Sequence, residues 1–154
     1  MRIRPAISTD LSILSLLWYD QTVIQLQSDR RFSLAQNSPA RWETAASLWL
    51  RRDDMRVWVT EADAQLLGYI VAQLQPAPVG LVPERMGHIL ELVVDLHTQR
   101  MGIGSHLLQE ATRWLRSEGI EVMTAQALHR HVVGQAFWRT QGATEWMDLL
   151  WMKL

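Results

Sequence analysis

The sequence predicts a single α/β domain, and three observations carry that reading. Residues 55–60 alternate Met55, Val57 and Val59 against Arg56, Trp58 and Thr60, and residues 66–75 follow across a polar turn, as in an antiparallel hairpin. Residues 88–94 form a nearly continuous apolar run, the pattern of a strand covered on both faces. Ile103, Leu107, Leu108, Ala111, Trp114 and Leu115 then fall on one helical stripe that leads, past Gly119, into a strand at 120–126. A strand–helix–strand crossover buries such a stripe against a parallel pair, so the strand at 88–94 should be central, with helices on both faces.

The remaining elements follow in order. Ile3 to Ala6 is short and extended, with Pro5 at a strand end or edge. Ser8, Thr9 and Asp10 offer a cap to a helix carrying Leu11, Leu14, Leu17 and Trp18. Residues 20–38 are polar and carry no clear period. Ser38-Pro39 reads as cap and first helical position for a helix with Trp42, Ala45, Ala46 and Trp49, ending near Arg52. The breakers in 76–83 make a loop. Val132, Val133, Ala136 and Phe137 mark a further helix stopped by Gly142, and 144–153 reads as a final strand. No repeat or linker divides the chain.

Composition excludes several classes of function. With 15 basic and 16 acidic residues the net charge is −1, which gives no general attraction to nucleic acid or anionic membrane. The absence of cysteine removes thiol nucleophiles, disulfides and Cys-ligated metals, and the five histidines are scattered, so no metal is expected. No segment reaches the roughly 18 uninterrupted apolar residues of a membrane span, and the amino terminus lacks a signal peptide's apolar core. A cytoplasmic protein is expected. Eight Trp against two Phe and two Tyr is a skewed aromatic set, suited to core or cleft lining.

The most informative stretch is Gln99-Arg100-Met101-Gly102-Ile103-Gly104-Ser105, between a buried strand and an amphipathic helix. Glycines at a helix mouth let a ligand approach the backbone, and the unpaired N–H groups there suit phosphate oxygens. A methyl at Gly102 or Gly104 is expected to project into that phosphate site or strain the turn. The dinucleotide-binding fingerprint does not fit, because its third glycine position is Leu107 and Gly102 follows Val94 by eight residues. A Walker loop is absent, since no Gly-Lys-Ser/Thr occurs.

A strand, then Gln99-x-x-Gly102-x-Gly104, then an apolar helix resembles the acyl-CoA motif of the GNAT superfamily of N-acyltransferases. Downstream, His131-Val-Val-Gly134-Gln-Ala-Phe137-Trp138-Arg-Thr-Gln-Gly142-Ala143 resembles that family's Asn-x-x-Ala-x-x-Phe-Tyr-x-x-x-Gly-Phe segment. Ile3-Arg4-Pro5-Ala6 with Asp10-Leu11 is similar to its opening strand and helix. The resemblance implies a twisted mixed sheet of six to seven strands in one domain over residues 1–154. It implies transfer of an acetyl group from acetyl-CoA to a primary amine, on a small molecule or a peptide, by direct attack on the thioester; a homodimer is compatible with it.

Residue by residue, the resemblance places the pyrophosphate on the amides of Gln99, Arg100, Met101, Gly102, Ile103, Gly104 and Ser105. It sets pantetheine along Leu92, Val93 and Val94, where the strand is splayed from its neighbour and an N–H near Val93 or Val94 polarises the thioester carbonyl. His131, Gly134, Phe137 and Trp138 complete the cofactor contacts. Three of these depart from the pattern. His131 replaces Asn and can still hydrogen-bond the pantetheine arm, Gly134 replaces Ala, and Trp138 replaces the Tyr whose hydroxyl commonly protonates the leaving thiolate.

Glu91 is the foremost candidate base, a carboxylate inside an apolar strand, where desolvation raises its pKa towards neutrality. His88 is the second, at a spacing from Gln99 that resembles members placing their base early on this strand. Residues 88 and 91 of a regular strand point to opposite faces, so both serve only if a bulge intervenes. Trp18, Trp42 and Trp49 lie on helices that the family uses to wall the acceptor, or belong to the core. Asp20, Asp53 and Asp54 are open to a cationic amine or to solvent, and His129 fits a polar loop. The competing class is a binding module that holds acyl-CoA as a sensor without turnover, to which Trp138 lends support.

Overall fold

The computed structural model describes residues 1–99 and 101–154. Its elements are β1 (Arg2–Pro5), α1 (Leu11–Ser28), α2 (Ser38–Trp49), β2 (Met55–Ala62), β3 (Gln65–Pro76), β4 (Arg85–Val94), α3 (Ile103–Ser117), β5 (Met123–Ala125) and α4 (Val132–Thr140). A single turn of 3-10 helix, Ser8–Asp10, leads into α1. The buried Asp10 carboxylate accepts from the Ile7 amide at 2.8 Å and from Arg4 at 2.7 and 2.9 Å. Arg4 also reaches Glu61 at 2.8 Å, so one guanidinium ties β1 to the start of α1 and to β2.

The sheet runs β1-β2-β3-β4-β5, antiparallel up to β4 and parallel between β4 and β5. The parallel pair is joined through α3, the expected crossover. β4 is interior but not central; that place belongs to β3. The period-two alternation of β2 and β3 divides the core between the two faces. Val57, Val59, Tyr69 and Val71 pack with Leu11, Leu14, Trp42 and Ala46 beneath α1 and α2. Trp58, Ile70 and Ala72 pack with Ile103, Leu107, Ala111 and Leu115 of α3, and Phe137 and Trp138 of α4 join that face.

Several expectations need correction. The featureless stretch after Asp20 continues α1 to Ser28, because no Gly or Pro interrupts 11–28 and Val23, Ile24 and Leu26 find partial cover. α4 buries Phe137 and Trp138 in part, while Val132 and Val133 are exposed. The strand expected at 120–126 shortens to three residues. The strand expected at 144–153 does not form, which leaves five strands among the described residues in place of six to seven. A strand persists only where its N–H and C=O groups meet a neighbour, and this segment meets none among the described residues. Its leucines stay in solvent, with Leu149 91% and Leu150 90% exposed, while Glu145 pairs with Arg139 at 2.9 Å and Arg31 lies over the Trp151 ring. Among the described residues no helix is long and apolar enough to cross a membrane.

Candidate active site

The site is organised by an irregularity in β4. Val71 of β3 pairs with Glu91 and the next residue, Ala72, pairs with Ile89, so Leu90 is an extra residue without a partner on β3. Such a bulge reverses the in–out alternation beyond it. Ile89 accordingly packs under α3, whereas Val93, four residues on, packs under α1 and α2. His88 and Glu91 therefore share the α1/α2 face, which a regular strand would not allow.

Glu91 is half-buried and tightly partnered. The Tyr69 hydroxyl donates to its Oε2 at 2.7 Å, and Trp42 Nε1–H donates to Oε2 at 3.0 Å and to Oε1 at 3.2 Å. Burial pushes the carboxyl up to about 7, and the two hydrogen bonds oppose that rise by favouring the anion. Tyr69 is fully buried, and burial together with the neighbouring carboxylate holds its hydroxyl protonated well beyond the usual phenol range. His88 places Nδ1 2.9 Å from Thr124 Oγ1 of β5, and burial lowers its pKa. Neither Tyr69 nor Thr124 was singled out as a site residue from the sequence. Only the register of β3 and β5 against β4 brings them there; the alternation marking Tyr69 as inward-facing was the available signal.

Beyond the bulge β4 loses its outer neighbour. The β4–β5 pairs are Gly87 with Met123, His88 with Thr124 and Ile89 with Ala125, after which β5 ends while β4 runs on to Val94. Among the described residues, Leu92, Val93 and Val94 thus have no strand partner on the β5 side, an open edge next to Glu91 to which an extended chain can add.

That edge leads to the mouth of α3. Gly102 caps the helix in the left-handed region at φ 78°, where a side chain is strained. The Ile103 side chain is buried in the core. Met101 and Gln99 are exposed, and Arg100 lies outside the described residues. The first-turn amides of a helix have no partner within it, which makes a helix start suited to anions. Ser105 Oγ accepts from Gln141 Nε2 at 3.1 Å, pinning this turn to the end of α4. At Gly104 an added Cβ would lie 3.2 Å from Phe137 Cε2 and 3.7 Å from Val94 Cγ2. Gly104 sets how closely α3 and α4 approach.

On α4, His131 occupies the N-cap, and its ring lies over Gly134, where an added Cβ would sit 2.8 Å from Nδ1. Two departures from the expected motif thus fit one another: the imidazole takes the space of the missing methyl. Trp138 packs edge-on against Phe137, with ring centroids 5.2 Å apart. Trp42 is in T-shaped contact with Trp49 and Tyr69 and stacks with Trp18, so these indoles belong to the core, and of the three it is Trp42 that reaches Glu91. Asp54 is engaged by Arg52 at 2.6 and 2.8 Å, and Asp20 is exposed on α1.

Comparison with known proteins agrees with this arrangement. No curated protein sequence matches the chain. Among solved structures, a tetramutant of the BH1408 protein from Bacillus halodurans superposes at TM-score 0.84 and 17% identity, covering 100% of both chains. An aminoglycoside antibiotic 6'-N-acetyltransferase from Acinetobacter haemolyticus gives TM-score 0.80 at 17% identity over 100% of this chain and 98% of the other. A predicted acetyltransferase with acetyl-CoA from Clostridium acetobutylicum gives 0.79 at 15% identity, over 99% and 95%. At such identities the likeness is one of fold. The model of the acetyltransferase (GNAT) family matches residues 21–143, most of the chain, and with the open β4 edge and glycine-capped α3 in place, this protein belongs to the GNAT acetyltransferase family.

Proposed function

We propose that residues 1–154 form one acetyl-CoA-dependent N-acetyltransferase domain that acts on a primary amine of a small molecule or a peptide. The observation that carries this reading is the position of Glu91, a carboxyl pushed up to about 7 beside the unpaired edge of β4. The residues fit acetyl-CoA: the α3 mouth from Gln99 to Ser105 takes the pyrophosphate, Leu92 to Val94 take pantetheine, and His131, Gly134, Phe137 and Trp138 of the α4 motif flank the arm. The neighbour crystallised with acetyl-CoA supports the choice of co-substrate.

Glu91 accepts the proton of the substrate ammonium, and Tyr69 and Trp42 hold its oxygens in place. The neutral amine attacks the thioester carbonyl carbon, an amide N–H near Val93 or Val94 stabilises the developing oxyanion, the C–N bond forms, the C–S bond breaks, and the second proton shed by the now cationic nitrogen passes on to the departing thiolate. The thiolate leaves without a Tyr hydroxyl. A thiol with a pKa of about 8.5 is a fair leaving group near neutrality, and water or His131 returns its proton. His88, neutral and tied to Thr124, is the alternative base on the same face. A cytoplasmic location goes with this co-substrate, and the exposed strand-like segment at 144–153 with the open β5 edge supports a homodimer.

The second reading, a non-catalytic acyl-CoA sensor, is favoured by Trp138, whose indole offers no acidic hydroxyl. Thiol release from acetyl-CoA across a panel of amines, with calorimetric titration of acetyl-CoA alongside, separates the two. Amine-dependent release is expected; tight binding with no release from any amine assigns the sensor.

A further inference from the structure

A cavity of about 370 Å³ lies between α1, the segment joining it to α2, and the first turns of α2. Its walls include Trp18 and Leu26, two turns apart on α1, Phe32 and Leu34 from the joining segment, and Trp42 and Arg41 on α2. Trp42 connects this cavity to the site, because the indole that forms part of the wall also donates its N–H to both Glu91 oxygens. A molecule resting here is one indole away from the candidate base.

The chemistry of the wall selects what can rest there. Trp18 and Trp42 stack with centroids 6.5 Å apart, and with Leu26, Phe32 and Leu34 they offer aromatic and branched surface to an apolar body. The cavity is of the size that encloses a small organic ligand. Its one ionised lining residue is Arg41, an exposed cation with no ion pair among the described residues. No carboxylate lines it: Asp29, in the joining segment, is taken by Arg31, and Glu43 of α2 hydrogen-bonds Ser15 at 3.0 Å. A second or third ammonium on a substrate would lie here beside a like charge, against apolar walls and without a counter-ion.

We infer that the acceptor is a monoamine with an apolar, ring-bearing body and not a polycation of the aminoglycoside or polyamine kind. The inference rests on the acetyltransferase reading and sets this chain apart from those structural neighbours named as aminoglycoside acetyltransferases. The body lies against Trp18 and Phe32, the amine passes the edge of Trp42 towards Glu91, and Arg41 repels acceptors that carry further positive charge.

Initial rates of thiol release with 2-phenylethylamine, tryptamine, spermidine and kanamycin test this. The kcat/KM for the two aryl monoamines is expected to exceed that for either polycation by about tenfold or more, the scale on which a pocket discriminates by apolar fit. Trp18→Ala should raise KM for 2-phenylethylamine about tenfold while KM for acetyl-CoA stays unchanged. Arg41→Glu, at an exposed position that any fold tolerates more readily, should shift the ratio of kcat/KM towards spermidine. Spermidine or kanamycin as the best acceptor, or a ratio that Arg41→Glu leaves unmoved, overturns the inference and leaves the acetyltransferase reading standing. Calorimetric binding of acetyl-CoA without release from any amine ends both.

Discussion

At the scale of single residues, the decisive feature is a carboxyl that titrates near neutrality because it is buried, not because an anion faces it. The Glu91 proton must be absent for the side chain to act as a base, so the rate with a saturating amine should rise through about pH 7. Glu91→Gln should lower turnover by about 100-fold or more at pH 7.5 and remove that limb, with little change in acetyl-CoA affinity, because the group acts on the acceptor. Stability gives a second readout that no catalytic assumption enters. The folded protein holds the Glu91 proton more tightly than the unfolded chain does, so between the ordinary carboxylate range and about 7 the folded state binds the extra proton. Native stability is therefore fully present below the unfolded pKa and is lost as pH rises through the folded one, by about 3 kcal/mol in all. Glutamine keeps a carbonyl for Trp42 and Tyr69 but has no proton to lose. Urea unfolding at pH 5 and pH 8 should show Glu91→Gln gaining on the parent by roughly that amount at the higher pH; a pH-independent difference would place the titration elsewhere.

At the scale of elements, the bulge at Leu90 and the fit of His131 over Gly134 do work that no periodicity reveals. The nearly continuous apolar run at 88–94 marked a buried strand correctly, yet a regular strand sets His88 and Glu91 on opposite faces unless a bulge intervenes. The extra residue is visible only in the pairing with β3, where Val71 and Ala72 oppose Glu91 and Ile89. The helix at 103–117 was legible because its apolar stripe is complete and Gly102 and Gly119 bracket it, both with positive φ. Of the three departures in the α4 motif, His131 and Gly134 look unrelated in the sequence, the second costing helix propensity; the structure joins these two. Gly134→Ala should gain up to about 1 kcal/mol from propensity but must displace the imidazole that stands 2.8 Å from the new Cβ. The two positions are therefore coupled. In a double-mutant cycle of His131→Asn and Gly134→Ala, the alanine should stabilise more in the Asn background than beside His131, by about 0.5–1 kcal/mol in thermal or urea unfolding. Strict additivity would mean that the ring moves aside at no cost.

For the whole molecule, the order of elements, the parallel crossover and the two-faced core were all readable, since each depends on patterns within 10 to 20 residues. What was not readable was which predicted strand finds a neighbour. Residues 144–153 have the composition of a strand, yet they find no strand partner among the described residues and leave Leu149, Leu150 and Trp151 partly or wholly in water. Among the described residues the sheet meanwhile ends at β5, three residues long and paired with β4, with no strand on its outer side. An unpaired apolar segment and an unpaired sheet edge on the same molecule are each what the other lacks, and such edges left free promote association. In a two-fold arrangement both copies bury the same segment, so the contact closes and does not propagate. Sedimentation equilibrium at micromolar concentration should therefore return a dimer. Replacing Leu149 and Leu150 together by Glu, at positions that contribute nothing to either core cluster, should yield a monomer with unchanged far-ultraviolet circular dichroism. A parent chain that sediments as a monomer, or a double variant that stays dimeric, shows that this segment is not what joins two copies.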